Sequence, residues 1–253
     1  LVTGGASGIG EASALELARN GSDIVITDLR QVELDRVATE IRGMGREAMP
    51  VVCDVGDEVA MAALFEKVRR QFGRLDQVLV NAGINGMWAP IEEMTPDEWD
   101  TTIRVNLRGS YLTIHHAVPL MQEFGGSIVI ISSINGTRTF TTAGSTAYSA
   151  SKAAQFAMGQ MLAIELSRFK IRVNVICPGS VQTQIGDRTR RRRAEEAKVP
   201  AVFPEGTIPL TRSSKGPPPS EIAQAVAFLC SDAAKHITGT PVYIDGGQSL
   251  LQG

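Results

Sequence analysis

The chain has 253 residues, of which 43% are hydrophobic and 21% charged, so it can bury a sizeable core and is not a disordered polymer. A formal net charge of −2, and the lack of any apolar run close to the roughly 18 residues that cross a bilayer, predict neither nucleic acid nor membrane as partner. The cysteines, Cys53, Cys177 and Cys230, form no CxxC pair, which indicates free thiols in a reducing compartment, here expected to be the cytoplasm.

Predicted strands alternate with helical patterns along the chain. The first strand ends at Leu1 and Val2, and we expect the natural chain to begin a few residues earlier, with a cleaved targeting segment as the alternative. The other strands are predicted, in chain order, at 23–27, 48–53, 77–81, 127–132, 171–177 and 241–245. They are continuously apolar, as strands covered on both faces are. This alternation predicts an α/β fold, a doubly wound parallel sheet of about seven strands with helices on both faces.

The glycine-rich stretch TGGASGIG follows the first strand. Gly4, Gly8 and Gly10 allow a tight turn and let the backbone approach a pyrophosphate at the N-terminus of the first helix. The spacing, G-x-x-x-G-x-G, is one residue longer in its first gap than the usual dinucleotide fingerprint. The loop therefore predicts a dinucleotide site, with an ordinary turn between strand and helix as the alternative.

Asp28 ends the second strand, about 20 residues beyond the loop. A carboxylate there accepts hydrogen bonds from the adenosine ribose hydroxyls and repels a 2′-phosphate. The loop itself offers Ala6 and Ser7 and neither Arg nor Lys, although Arg30 follows two residues after Asp28. We therefore predict NAD rather than NADP as the cofactor.

Two long helices are predicted at 95–122 and 147–168, the first beginning with a capping box, Thr95-Pro96-Asp97-Glu98. Neither a repeat nor a linker between two cores is found, which predicts a single domain over residues 1–253. Its irregular stretch, 184–219, is predicted to be a loop with short helices that forms a lid over the site.

The lid stretch holds a run of arginines, Arg188 and Arg190–Arg193. We interpret it as a solvated helix, with a contact to an anionic substrate or carrier as the alternative. The histidines predict no metal site, because His115 and His116 are adjacent and face different directions and His236 is distant.

Several short motifs occur in order at predicted strand ends and helix starts. They are TGGASGIG, CDV at 53–55, NAG at 81–83, NLRG at 106–109, ISS at 131–133, Tyr148-x-x-x-Lys152, PG at 178–179 and IDGG at 244–247. With them the chain resembles a compact short-chain dehydrogenase/reductase over essentially its whole length. The resemblance implies a Rossmann fold, an NAD(P)-dependent enzyme acting on an alcohol or ketone, and a homotetramer that pairs through the long helices.

The resemblance also implies cofactor-binding residues. These are Gly4, Ser7, Gly8 and Ile9 at the pyrophosphate, Asp28 at the ribose, Asp54 and Val55 at the adenine, Asn81, Ala82 and Gly83 along the middle of the cofactor, and Pro178, Gly179, Val181 and Thr183 beside the nicotinamide. Tyr148 and Lys152 are implied to contact the cofactor as well, Lys152 through the nicotinamide ribose.

Tyr148 and Lys152 lie four residues apart, on one face of a predicted helix. Oxidising a secondary alcohol moves a hydride from carbon and a proton from oxygen, and free tyrosine, with a pKa of about 10, is a poor base. An ammonium stabilises phenolate. We therefore expect Lys152, together with the positive nicotinamide ring, to lower the pKa of Tyr148.

Ser133 and Asn106 complete the catalytic set that the resemblance implies. Ser133 would donate a hydrogen bond to the substrate oxygen, and Asn106 would hold a water in a proton relay behind Lys152. In the family the serine commonly stands where this chain has Asn135. The ISS motif selects Ser133 instead, with Ser132 as the alternative.

Together these features predict an NAD-dependent oxidoreductase that interconverts a secondary alcohol, such as a polyol, sugar or cyclic alcohol, and its ketone. One alternative is an NADP-dependent 3-oxoacyl-carrier-protein reductase, against which stand Asp28 and the absence of a basic residue from EFGGSIVI at 123–130. The alternative of another class is a non-catalytic sensor that binds NADH. The full set of catalytic residues argues against a sensor.

Overall fold

The computed structural model describes residues 1–198, 208–212 and 214–252, and a seven-stranded parallel sheet lies at its centre. The strands of this sheet are β1 (Val2–Thr3), β2 (Ile24–Asp28), β3 (Ala48–Val52), β4 (Gln77–Val80), β6 (Gly126–Ile131), β7 (Ile171–Pro178) and β9 (Pro241–Ile244). They lie side by side in the order β3-β2-β1-β4-β6-β7-β9. The predicted doubly wound fold is confirmed, and the strand ends predicted from the sequence shift by one residue at most.

Helices cover both faces of the sheet, as predicted. They are α1 (Gly8–Arg19), α2 (Gln31–Gly43), α3 (Glu58–Phe72), α4 (Pro96–Ile103), α5 (Gly109–Met121), α6 (Thr146–Glu165), α7 (Pro219–Cys230) and α8 (Gln248–Gln252). Successive side chains of a strand point to opposite faces of the sheet, so β6 contributes residues to two apolar clusters. Ile128 and Ile130 join the cluster with α3, α5 and α6, whereas Val129 and Ile131 join the cluster with α1, α2 and α7.

The long helix predicted over 95–122 is present, but its middle is π-helical. Between α4 and α5, residues Arg104–Arg108 form a π-helical segment. The predicted capping box is confirmed: Oγ1 of Thr95 accepts from the N–H of Glu98 at 3.3 Å, and Oε2 of Glu98 accepts from the N–H of Thr95 at 3.0 Å. The π-helical segment contains Asn106 and was not predicted from the sequence.

A second, two-stranded parallel sheet pairs β5 (Met87–Trp88) with β8 (Arg190–Arg191). The solvated helix predicted for the arginine run is therefore wrong at these residues. The cause is a set of contacts between residues distant in sequence. Arg192 forms hydrogen bonds with both carboxylate oxygens of Glu98, at 2.9 and 2.8 Å, and Arg191 lies over the ring of Trp88. Residues 199–207 and 213 of the predicted lid lie outside the described residues.

Two further expectations concern the environment of the chain. Across the described ranges, no helix combines the length and the hydrophobicity that a membrane span requires. Cys53, Cys177 and Cys230 are buried and free, as expected, and burial raises the pKa of each thiol to about 11.

Helix α6 packs against β7 at Gly159, where a Cβ would lie 2.3 Å from Cγ2 of Val175. We expect Gly159→Ala to lower the free energy of unfolding by about 1–3 kcal/mol, because the added methyl group overpacks the core. Gly43→Ala, at the end of α2 where nothing lies within 4 Å, is the control and should be neutral or slightly stabilising. Urea unfolding measures both. Equal stability of the two variants would contradict this packing.

Candidate active site

The predicted site residues meet at the edge of the sheet where the strands end. All strands of the large sheet are parallel, so the turns that follow β1, β2, β4, β6 and β7 share one edge. The strand order reverses between β1 and β4, which opens a crevice at this edge, the usual ligand site of such sheets.

The glycine loop bends tightly between β1 and α1. Gly4 and Gly8 have positive φ angles of 66° and 57°, which favour glycine. A Cβ on Gly10 would lie 2.0 Å from the carbonyl oxygen of Gly4, so α1 can pack this closely on the loop only with glycine here. A Cβ on Gly8 would approach Cγ2 of Thr183 to 3.2 Å, so the loop faces Thr183 across the crevice. This narrow backbone cradle fits a pyrophosphate.

Thr3 and Asn81 tie the glycine loop to the end of β4. Nδ2 of Asn81 donates to the carbonyl oxygens of Thr3 and Gly4, at 2.9 and 3.2 Å. In return, Oγ1 of Thr3 accepts from the N–H groups of Asn81 and Ala82 at 3.0 and 3.1 Å. Thr3 was not predicted to be a site residue, although it directly precedes the glycine loop.

Asp28 is fixed beside the loop. Its carboxylate accepts from the N–H groups of Leu29 and Ala6, at 2.8 and 3.3 Å, and from Nε of Arg30 at 3.2 Å. Nη2 of Arg30 donates to Oγ of Ser7 at 2.9 Å. Arg30 therefore links the carboxylate to the loop, a contact that the sequence did not predict. One carboxylate at this strand end fits the hydroxyls of an adenosine ribose.

Asp54 and Val55 follow β3 and contact the π-helical segment and the first residue of α5. Burial acts to raise the pKa of Asp54, but hydrogen bonds from Nη1 of Arg104, at 2.8 Å, and from the N–H of Gly56, at 2.9 Å, bring it below its ordinary value. Val55 packs on Gly109, where a Cβ would lie 2.7 Å from Cγ2 of Val55. The Arg104 contact was not predicted, because an ion pair between residues so distant in sequence leaves no local pattern.

The turn after β7 packs on the stretch that follows β9. The N–H of Gly179, next to Pro178, donates to the carbonyl oxygen of Ile244 at 3.1 Å. Val181 packs, together with Ile9 of α1, against the cluster of α1, α2 and α7. The predicted nicotinamide residues and the glycine loop thus line the same crevice.

Lys152 is 4% exposed on α6, and its Nζ donates to the carbonyl oxygen of Ile131 at 2.9 Å. Burial lowers the pKa of Lys152 to about 8, so the amine is largely charged at neutral pH. A Cβ on Gly83 would lie 3.6 Å from Nζ, so the lysine reaches the NAG turn after β4. Nζ also lies 5.6 Å from the centroid of the Tyr148 ring.

The expected lowering of the Tyr148 pKa is not produced by these side chains alone. Burial raises the pKa of Tyr148 above its ordinary value, and a hydrogen bond with Ser133 acts in the opposite direction without offsetting it. The Tyr-x-x-x-Lys spacing predicts that an ammonium lies near the phenol, but it does not predict how deeply the phenol is buried.

The two serines of the ISS motif have different partners. Oγ of Ser133 accepts from the N–H of Asn135 at 3.2 Å, and its interaction with Tyr148 acts to lower the pKa of the phenol. Oγ of Ser132 instead donates to the backbone carbonyl of Lys152 at 2.7 Å. Nδ2 of Asn135 donates to Oγ1 of Thr142 at 3.0 Å. The geometry favours Ser133 over Ser132 as the hydroxyl that meets a substrate.

Asn106 is fully buried in the π-helical segment, between the NAG turn and α6. Oδ1 accepts from the N–H of Ile84 at 2.8 Å, and Nδ2 donates to the carbonyl of Ile84 and to Oγ of Ser151, both at 2.9 Å. Its side chain thus bonds residues adjacent to Gly83 and Lys152 rather than Lys152 itself.

One wall of the crevice comes from the arginine-rich segment. Nδ2 of Asn85 donates to Oγ1 of Thr189 at 2.7 Å, next to the pairing of β5 with β8.

Throughout the described part of the chain, no three His, Cys, Asp or Glu side chains lie together as metal ligands would.

Comparison with known proteins places this fold and site in a family. Residues 4–249 match the family model described as Enoyl-(Acyl carrier protein) reductase. A crystal structure of a 3-ketoacyl-ACP reductase from Sinorhizobium meliloti 1021 has a TM-score of 0.95 and 49% identity, with 99% of this chain and 98% of that chain covered. A 3-ketoacyl-(acyl-carrier-protein) reductase from Brucella melitensis, complexed with NADH, has a TM-score of 0.84 and 31% identity over 98% of this chain and 97% of that one.

A curated relative is named for a different substrate. The cis-4-hydroxycyclohexanecarboxylate dehydrogenase of Sinomonas cyclohexanicum is 36% identical, covering 99% of this chain and 96% of its own length. All three relatives are oxidoreductases by name. The chain belongs to the short-chain dehydrogenase/reductase family, whose members are NAD(P)-dependent enzymes.

The two serines give a direct test of the site. We expect Ser133→Ala to lower kcat about 100-fold or more, as loss of a positioned donor to a reacting oxygen does, with NADH binding retained. Ser132→Ala is the matched control: it removes one buried hydrogen bond and should cost about 1 kcal/mol of stability with kcat largely kept. Steady-state kinetics with fluorescence titration of NADH measures both effects. A larger loss of kcat in Ser132→Ala would reverse the assignment.

Proposed function

We propose that the protein is an NAD-dependent oxidoreductase that interconverts a secondary alcohol and its ketone. The observation that carries this proposal is the placement of Tyr148, Lys152 and Ser133 together at the crevice, beside Gly83. Nothing in a binding protein requires a buried lysine next to a phenol and a serine hydroxyl, whereas alcohol oxidation requires a proton acceptor and a donor to the reacting oxygen.

Each residue has a role in the proposed reaction. Bound NAD would accept the hydride. Tyr148 takes the proton of the substrate hydroxyl as phenolate in oxidation and returns it as phenol in reduction. Ser133 donates a hydrogen bond to the substrate oxygen and so stabilises the charge that develops there. The ammonium of Lys152, 5.6 Å from the centroid of the Tyr148 ring, would oppose the effect of burial on the phenol by favouring phenolate.

Asp28 supports NAD as the cofactor. Its carboxylate is held at the loop by the N–H of Ala6, where it can accept from ribose hydroxyls and repel a 2′-phosphate. Arg30, the basic residue beside it, is already paired with Asp28 and Ser7. The Brucella relative was solved with NADH, which is consistent with this preference.

A cyclic or polyhydroxylated alcohol is the proposed substrate, in line with the name of the Sinomonas relative. The second candidate is 3-oxoacyl-carrier-protein reduction with NADP, which the name of the Sinorhizobium relative favours. Against it stands Asp28, whose carboxylate repels a 2′-phosphate.

We also propose a cytoplasmic homotetramer formed by a single domain, in which the described parts of the predicted lid, residues 184–198, 208–212 and 214–219, cover the crevice. The support for assembly is apolar exposure on the long helices: Met161 and Ile164 of α6 are 73% and 78% exposed, and Tyr111 of α5 is 52% exposed. Such exposed apolar side chains are suited to pairing between subunits. The mass in solution, from light scattering, tests this assembly.

The reaction is tested by NAD reduction over polyols, sugars, cyclic alcohols and 3-hydroxyacyl esters, with NADP in parallel. With the best substrate, we expect Tyr148→Phe to lower turnover by about 100- to 10,000-fold, the usual contribution of a general acid or base. Tyr111→Phe, an exposed tyrosine on α5, is the matched control and should be unaffected. Absence of turnover throughout, with NADH still bound, would favour the sensor; preference for acyl esters and NADP would favour the carrier-protein reductase.

Cofactor choice is tested at Asp28. We expect Asp28→Ala to raise the ratio of kcat/KM for NADP over NAD at least about tenfold, because like charges brought together cost several kcal/mol. Asp23→Ala, at the other end of β2 and paired with Arg46, is the control and should leave the ratio unchanged. An unchanged ratio in Asp28→Ala would remove Asp28 from cofactor discrimination.

A further inference from the structure

The carbonyl oxygen of Asn106 is bonded by two side chains. It lies in the π-helical segment, where the N–H of Gly109 donates to the carbonyl of Arg104, five residues back. A π-turn displaces backbone groups from the usual pairing four residues apart, and buried carbonyls need partners from elsewhere. At Asn106, Oγ of Ser110 donates at 2.6 Å and Nε2 of Gln155 donates at 2.9 Å.

Gln155 is only 1% exposed, and within the described residues its hydrogen-bond partners are Asn106 and Ser110, with which it forms one buried cluster. Nε2 donates both to the carbonyl of Asn106 and to Oγ of Ser110, the latter at 2.6 Å. Its Oε1 has no hydrogen-bond partner in the described part of the chain. If the Gln155 amide were turned the other way, Oε1 would face the carbonyl oxygen of Asn106. The two acceptors, that carbonyl and Oγ of Ser110, therefore determine the orientation of the amide. Leaving a buried acceptor unpaired is unfavourable, and the two bonds that Nε2 donates to Asn106 and Ser110 offset this cost.

The cluster leads directly to the proposed catalytic groups. Gln155 lies three residues after Lys152 on α6, so the two side chains share a helix face. The side chain of Asn106 holds both backbone groups of Ile84, next to Gly83. A Cβ on Gly83 would lie 3.2 Å from Oδ1 of Asn106 and 3.6 Å from Nζ of Lys152. Any shift of the π-helical segment would therefore move the turn against which the lysine rests.

We propose that Gln155, together with Ser110, is a positioning residue: it fixes the π-helical segment at Asn106 and, through Asn106, the turn beside Lys152. The proposal rests on the proposed function, since it assigns Gln155 a part in the same reaction. Gln155 would not touch substrate or cofactor. It belongs to none of the motifs that identified the site, and only its side-chain contacts in the fold distinguish it.

The test is Gln155→Leu, which keeps the approximate size of the side chain and removes its donors. We expect kcat to fall about 10- to 100-fold, the scale on which small misplacements reduce catalysis, while the Kd for NADH is unchanged. Thr113→Val is the matched control: it removes another buried hydrogen bond of α5, from Oγ1 to the carbonyl of Gly109 at 2.7 Å. That variant should lose stability and keep its kcat when assayed well below its Tm.

Coupling to Asn106 separates positioning from general stability. In an Asn106→Ala background, we expect Gln155→Leu to cause little further loss of kcat, because residues that act as a unit are not additive. An equal loss in both backgrounds would overturn the proposal. So would an unchanged kcat in Gln155→Leu while Tyr148→Phe is inactive. If Tyr148→Phe remains active, the proposed function fails instead.

Ser110→Ala is a second, smaller change to the same cluster and serves if Gln155→Leu does not fold. It removes one of the two donors to the Asn106 carbonyl, and we expect a smaller fall in kcat with the Kd for NADH unchanged. A Ser110→Ala protein with full kcat, compared with Thr113→Val at the same temperature, would contradict the role of the cluster.

Discussion

The burial of the Lys152 ammonium is the constraint around which this end of the molecule is arranged. Removing a charge from water is unfavourable unless polar groups replace the water. The end of β6 and the turn after it provide them: the carbonyl of Ile131 accepts from Nζ, and the hydroxyl of Ser132 donates to the backbone carbonyl of Lys152. Gly136 packs so closely that a Cβ would lie 2.6 Å from the carbonyl carbon of Lys152. A single turn of chain therefore fixes the lysine at both its head and its backbone.

The same constraint links the two halves of the crevice. The strand that supplies the Ile131 carbonyl also leads into Ser133, so the position of the lysine and that of the serine are set by one segment. On the other side, Asn81 and Thr3 join the glycine loop to the NAG turn, against which Lys152 rests. The cofactor cradle and the proposed catalytic groups are thus connected through the end of β4.

Much of the fold could be predicted because its determinants are local. Continuous apolar runs marked the strands of the large sheet, and the capping box marked the start of α4. The pairing of β5 with β8 could not be predicted, because two-residue strands have no pattern and their position depends on Arg192 reaching Glu98 across the fold. The π-helical segment could not be predicted either, because one of the side chains that donate to its carbonyl groups, Gln155, comes from α6. For Tyr148 the motif predicted the neighbouring lysine, whereas the rise that burial produces in the pKa of the phenol depends on the whole fold and leaves no local pattern.

Glu98 takes part in two contacts at once, and this has a consequence for motion. One of its carboxylate oxygens caps the start of α4, both bind Arg192, and the hydrogen bonds from Arg192 and Thr95 lower the pKa of Glu98 to about 2. Detaching β8 from β5 therefore withdraws a cation from the residue that caps the start of α4. We expect the segment and the first turn of α4 to open as one cooperative unit. Access to the crevice would then be governed by the fraying of a helix end rather than by a hinge within a loop.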